Sequence, residues 1–171
     1  MKFNLQLFAG ATPIDGKKII YLFRILGDNS AAAVMAFTTE NERSVSNESD
    51  TIATKDGDIV MPEIETEIST TAILAAGDTM AEKLEDAMIA AKKIEIWEAN
   101  LAEAGTETGT FKGRYYQGYL TEFTLTSSAE DHAEYECTFK ADEGKKGDVT
   151  VTAAQQEAAE YAFTDTKSTG A

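Results

Sequence analysis

Cysteine and histidine occur once each in this chain, as Cys137 and His132. One cysteine excludes an intramolecular disulfide and any zinc site built from several thiolates. One histidine, set in the turn-like "SSAEDHAE", leaves no basis for a nucleophile–histidine–acid triad and reads as an exposed turn residue. Basic residues are also scarce: 15 Lys and Arg stand against 30 Asp and Glu, a net charge of -15. Such a surface repels phosphate backbones and anionic lipid, which argues against gripping nucleic acid or lying on a membrane. No stretch approaches the roughly 20 apolar residues of a membrane span. The longest apolar run in the opening "MKFNLQLFAG" is too short for a signal-peptide core. The expectation is a protein made and folded in a reducing cytoplasm.

What remains is ordinary globular material: 171 residues, 43% hydrophobic, with two prolines, enough for one domain with its own core. Phe3, Leu5 and Leu7 alternate with polar neighbours, as expected of an arm (residues 1–14) that pairs with its own domain or a neighbour; a frayed end reads equally well. "KKIIYLFRIL" is nearly continuous β-branched and aromatic sequence, predicting an interior strand buried on both faces. "AAVMAFTTE" predicts a second strand, with Val34, Ala36 and Thr38 on one side. Residues 46–62, "SNESDTIATKDGDIVMP", predict a projecting hairpin. Asp56-Gly57 signals a two-residue type I′ turn, and Pro62 is expected to limit the ladder. In "EIETEISTTAIL", Ile64, Thr66, Ile68 and Thr70 alternate with Glu63, Glu65, Glu67 and Ser69, a strand with one apolar and one acidic face.

A helix is expected over residues 79–93, with Thr79 and Glu82 as a capping box and Met80, Leu84, Ala87, Met88 and Ala91 on the core stripe. Strands resume at "KIEIWEA". In the next strand Tyr115, Tyr119, Phe123 and Leu125 share a face, with a bend or bulge at Gly118. "AEYECTFKADE" alternates cleanly, placing Ala133, Tyr135, Cys137, Phe139 and Ala141 inward and making Cys137 an inert small hydrophobe. Lys145 to Gly147 read as a turn before a short strand, and Thr152 with Gln155 as a second capping box. Residues 164–171 read as a flexible tail. Seven or so strands with one substantial helix predict a mainly β, α+β domain, a sandwich or barrel with a helix over one end or sheet.

Catalytic chemistry finds no foothold. Acids are so abundant that no carboxylate pair is singled out. "DTIATKDGD" lacks the ligand spacing of an EF-hand, and "GKKG" is a turn rather than a phosphate loop. No catalytic, cofactor or metal residue is assigned.

Taken in order, the Asp-Gly hairpin in "SDTIATKDGDI", the helix-to-"WEAN" junction, "YYQGYLTEFTLTSS", the "AEYECTFKADEG" strand and "TVTAAQQEAAEYAF" resemble the major tail proteins (tail tube proteins) of long-tailed bacteriophages. The particular likeness is to siphophages and prophages of Gram-positive bacteria, over about residues 10–163. The leader "MKFNLQLFA" departs from the pattern. The resemblance implies a two-sheet β-sandwich over 15–163 with a flanking helix. Its subunits would stack as hexameric rings into a hollow tube that conducts DNA without binding it specifically. It also implies residence in the virion tail after assembly in the host cytoplasm. Implied partners are other copies of the chain, a tape measure protein, and tail terminator and distal tail proteins.

On that basis inter-subunit contacts are expected at Phe3, Leu5, Leu7, Asp50, Ile52, Thr54, Lys55, Asp56, Asp58 and Ile59, and lumen-lining acids at Glu63, Glu65 and Glu67. Two readings stand beside this one. The first is the inner tube of a contractile tail or phage-like bacteriocin; the second, of a different class, is a monomeric β-sandwich decorating a capsid or mediating adhesion.

Overall fold

The computed structural model describes the backbone of residues 12–159, with the side chains of 48–54, 57–62 and 158–159 outside the description. Seven strands form one antiparallel sheet: β1 (Ile19–Ile25), β2 (Thr38–Thr54), β3 (Gly57–Ile73), β4 (Ile94–Ala104), β5 (Thr110–Thr126), β6 (Glu134–Ala141) and β7 (Lys145–Thr150). Two helices, α1 (Met80–Ile89) and α2 (Ala153–Ala159), and a short 3-10 turn at Gly16–Lys18 complete it. The strand order is β1-β4-β5-β6-β3-β2, with β7 also on β5.

The expected two layers are made by folding this single sheet over on itself, with β5 as the crease. Its first half pairs with β4, from Lys112↔Asn100 to Gly118↔Ile94. Its second half pairs with β6, from Gly118↔Ala141 to Thr126↔Glu134. Gly118 belongs to both ladders, and a Cβ there would drive into the Lys140 carbonyl. The wings meet face to face: Phe23 of β1 stacks on Phe139 of β6, strands that are not sheet neighbours, with ring centroids 5.2 Å apart. Around this pair lie Tyr21, Ile68, Ile94, Ile96, Leu120, Tyr135 and Cys137, all buried, with Ala81, Leu84 and Ala87 of α1 covering them. A smaller cluster, Ile20, Leu22, Ala99, Val149 and Val151, lies on the other side of the β1–β4 wing.

Several local expectations yield to this geometry. β1 is buried on both faces as expected, yet it is the terminal strand, its outer edge covered where Phe23 exchanges both backbone bonds with Ala33. Residues 31–37 form no strand; they wrap that edge and turn, so β2 starts only at Thr38. In β5 the core face carries Tyr116 and Leu120, then Phe123, because a register shift between Leu120 and Glu122 flips the alternation. Tyr115 and Tyr119 therefore face away from that core, Tyr119 and Leu125 are exposed, and the irregularity sits beyond Gly118. Lys145 to Gly147 are strand, because β7 continues the line of β6 along β5 after a break at residues 142–144. There Gly144 lies against the Tyr116 ring, where a Cβ would not fit.

Helix α1 ends at Ile89, and Ala91 takes a left-handed conformation at φ 49° before Lys92 and Lys93. Its cap is Asp78, whose carboxylate accepts from the Met80 N–H at 2.8 Å, while the Thr79 side chain makes no cap bond. The second capping box forms as expected: Thr152 N–H donates to Gln155 Oε1 at 3.0 Å, and Gln155 N–H to Thr152 Oγ1 at 3.4 Å. The β6 alternation also holds, with Tyr135, Cys137 and Phe139 wholly buried.

Candidate functional site

The expected hairpin is longer than the sequence stretch that announced it. β2 and β3 pair without a break from Glu40↔Thr71 to Thr54↔Gly57. The turn lies on Lys55-Asp56, one residue earlier than the Asp-Gly signal placed it, with Gly57 closing it as the fourth residue, a position that favours glycine in a type I turn. Pro62 does not end the ladder; it sits opposite Ser49 within it. This is tolerable because β3 has no second partner there among the described residues: β6 pairs only with Thr66 to Ile73. From Gly57 to Glu65 the ribbon is two strands whose outer edges meet no further strand among the described residues, projecting about 30 Å at about 3.4 Å per residue.

Each face of this region has its own chemistry. Thr66, Ile68, Thr70 and Ala72 turn inward and are buried. Ile64 and Val45 share that side beyond the core, where they stand 50% and 53% exposed. The opposite face carries Glu63, Glu65 and Glu67, all exposed. Strand register extends this acidic face sideways: Glu40 and Glu42 of β2 stand opposite Thr71 and Ser69, while Glu134 and Glu136 of β6 lie opposite Ile73 and Thr71. Glu122 of β5 stands opposite Thr138, continuing the same surface. Within it Lys140 lies 3.7 Å from Glu65. An ion pair this exposed neutralises little of the face.

Where the ribbon joins the body, a polar cluster ties the two wings together. Arg43 of β2 donates from Nε to Glu98 Oε2 of β4 at 2.7 Å, and Tyr21 of β1 donates its hydroxyl to the same oxygen at 2.9 Å. Tyr116 reaches it at 3.4 Å. Burial, then the charge and hydrogen bond of Glu98, push the Tyr21 phenol well above its ordinary range despite nearby Arg43. The sequence carries a signal for this cluster that composition and motif spacing do not reveal. Arg43 and Glu98 occupy the inward phase of their strands, in step with the buried Ile68 and Ile96 respectively, where a charge needs a partner.

Of the expected contact residues, Phe3, Leu5 and Leu7 lie outside the described residues. Lys55 and Asp56 form the exposed tip. Asp50, Ile52, Thr54, Asp58 and Ile59 are placed in the ribbon by their backbone alone, Ile52 opposite Ile59 and Thr54 opposite Gly57. His132 is exposed in the β5–β6 loop. Among the described residues no three His, Cys, Asp or Glu side chains gather as a metal site, and no helix is long and apolar enough to cross a membrane.

Comparison with known proteins gives a consistent answer. A family described as "Phage tail tube protein" matches residues 13–145. A "Putative tail protein" of Staphylococcus phage phiMR25 is 34% identical over 120 residues, covering 68% of this chain and 62% of that protein's length. Among solved structures, the SPP1 tail tube superposes with a TM-score of 0.70 at 18% identity, over 93% of this chain and 95% of that one. The tail of an empty GTA particle, refined with C6 symmetry, gives 0.59 at 12% identity, over 82% and 100%.

Proposed function

Because the chain belongs to the phage tail tube protein family, we propose that it is a structural subunit, not an enzyme, whose copies form stacked rings and build the hollow tube of a non-contractile phage tail. The observation that carries this reading is the two-stranded ribbon. Among the described residues neither of its backbone edges pairs with a further strand beyond β6, and Val45 and Ile64 stand exposed on its inner side. Long unprotected strand edges invite pairing with another chain. A heterologous contact repeated without closing on itself builds a filament. On this reading the turn at Lys55-Asp56 and the ribbon residues Asp50, Ile52, Thr54, Asp58 and Ile59 touch neighbouring subunits. Rings of six are the stoichiometry favoured by the C6 symmetry of the GTA tail.

The acidic face lines the lumen in this assembly. Glu63, Glu65 and Glu67, flanked by acids from β2, β5 and β6, present like charge to passing DNA, which slides without being gripped. The tape measure, terminator and distal tail proteins are the corresponding partners. The finished subunit resides in the virion tail after assembly in the host cytoplasm.

Size-exclusion chromatography and negative-stain microscopy of purified protein test the reading. Rings or tubes are expected, and a monomer that persists at high concentration overturns it. With a net charge of -15 per subunit, packing concentrates like charge, so added salt should promote assembly. A steady decline in assembly with salt would instead reveal attractive ion pairs at the contacts.

A further inference from the structure

Glu98 gathers three donors on one oxygen. Arg43 Nε, the Tyr21 hydroxyl and the Tyr116 hydroxyl all reach Oε2, at 2.7, 2.9 and 3.4 Å, while Oε1 accepts no hydrogen bond among the described residues. Among those residues Arg43 holds the carboxylate through Nε alone, not by the two parallel bonds with which arginine grips most firmly. The Glu98 side chain is 15% exposed, so losing its cation would leave a largely buried charge unpaired.

A second cation stands beside it. Arg114 of β5 is the residue opposite Glu98 in the β4–β5 ladder, and such cross-strand neighbours share a face with Cβ atoms about 5 Å apart. On its other side Arg114 faces Lys146 of β7, a like charge that offers no pairing. The Arg114 side chain is half-buried and, among the described residues, makes neither an ion pair nor a hydrogen bond. Its charge already reaches the cluster: burial and Glu98 raise the Tyr116 phenol, and Arg43 and Arg114 both oppose that rise. The two arginines differ in what carries them. Arg43 belongs to β2, the last strand in the sheet order and one arm of the ribbon, whereas Arg114 belongs to the wing that carries Glu98 itself.

We propose that Arg114 is a reserve cation for Glu98: when Arg43 leaves with the ribbon, Arg114 closes on the carboxylate, so the ribbon's base unclamps without stranding a buried charge. The Arg43–Glu98 bond is then a latch rather than a fixed strut. Glu98 stays paired in both arrangements, which keeps the latched and unlatched forms close in free energy, as a two-state element requires. The latch rests on the tube reading for what draws the ribbon away, namely contact with another subunit. The exchange of arginines itself does not depend on assembly.

The test reads the full-length subunit at low ionic strength, where like charge keeps copies apart. The chain has three arginines, Arg24, Arg43 and Arg114, so their side-chain Nε–H signals in a nitrogen-correlated NMR spectrum can be assigned by replacing each with Lys. Arg24 and Arg43 donate from Nε to carboxylates and should exchange slowly with water, whereas Arg114 should exchange fast. In Arg43→Ala the Arg114 signal should become slow. Urea unfolding supplies the second reading. Arg114→Gln alone should change the unfolding constant by less than about threefold, and in the Arg43→Ala background by about tenfold or more. Arg114→Lys in that background should recover most of the loss, because an ammonium also pairs with a carboxylate. Additive losses overturn the proposal. So does an Arg114 signal that ignores the removal of Arg43, a reading that stands even if the double variant does not fold. Both readings are made on the subunit, so their failure leaves the tube reading standing, and a protein that builds no tubes leaves the latch standing.

Discussion

The inner half and the outer half of the β2–β3 ribbon follow one sequence rule and have opposite fates. Along β3, Ile64, Thr66, Ile68 and Thr70 share one side; Thr66, Ile68 and Thr70 are buried, while Ile64 is 50% exposed. What changes is the surroundings. From Thr66 onward β6 supplies a third strand, and β6 and the facing wing supply Cys137, Phe139 and Phe23. Beyond it, among the described residues, the ribbon has only its own partner strand, and two-stranded hairpins alone are marginal in water. Alternation thus specifies which side of a strand is apolar but not what will cover it. For the outer half, the proposed cover is another subunit.

The sharpest way to break this contrast is to damage the inner half. Phe139→Ala removes a wholly buried ring stacked on Phe23 and should cost about 3–5 kcal/mol, lowering Tm by roughly 10 °C in thermal melts. A much smaller loss would mean that the wings do not pack as one core.

Alkaline pH attacks the same region more gradually. Burial pushes the Cys137 thiol from about 9 up to about 12, and burial also raises the Tyr21 and Tyr135 phenols. The folded state keeps protons that the unfolded chain releases. Stability is therefore complete below about pH 9 and is lost as pH rises toward 12, by about 1.4 kcal/mol per pH unit for each such group. Urea midpoints measured from pH 8 to 11 should fall from pH 9, and Cys137→Ala should move that onset up toward the tyrosine range. A flat profile would contradict the burial of these groups.

At the junction of the halves, Arg43→Ala strips Glu98 of its cation but leaves it the hydroxyls of Tyr21 and Tyr116. The pair is partly exposed, at 28% and 15%, so the cost should lie between those of surface and buried pairs, about 1–2 kcal/mol by denaturant unfolding. No change would show that the ribbon's base is not clamped by this bond.

The contrast also explains what could be read in advance. The alternation in "EIETEISTTAIL" and "AEYECTFKADE" gave both faces of β3 and β6 correctly, because period two is a property of the strand itself. Tyr115 and Tyr119 were misplaced because the shift after Leu120 depends on how β5 meets β6. The hairpin was visible in Asp56-Gly57, but not its true length, since Pro62 breaks a ladder only where a second neighbour needs its missing N–H. Residues 32–37 look like strand by composition, yet they are spent closing the edge of β1. The acidic face was legible strand by strand; its breadth across β2, β3, β6 and β5 required the register. Glu98 was legible only as a charge in an inward phase.

The smallest effect on the subunit should come from the outer half itself. Replacing residues 49–58 with a short Gly-Ser turn removes a stretch that, among the described residues, pairs only with itself, and leaves every residue of the main core in place. The change in unfolding free energy should stay within about 1 kcal/mol, a few degrees in Tm at most. Assembly should nevertheless disappear, leaving a folded monomer in chromatography and empty micrograph fields. A large loss of Tm would show that the ribbon belongs to the fold. Normal tubes from the shortened protein would show that its exposed edges and side chains contact no neighbour. Only the combination of an intact body and absent tubes keeps the two halves apart in role as well as in burial.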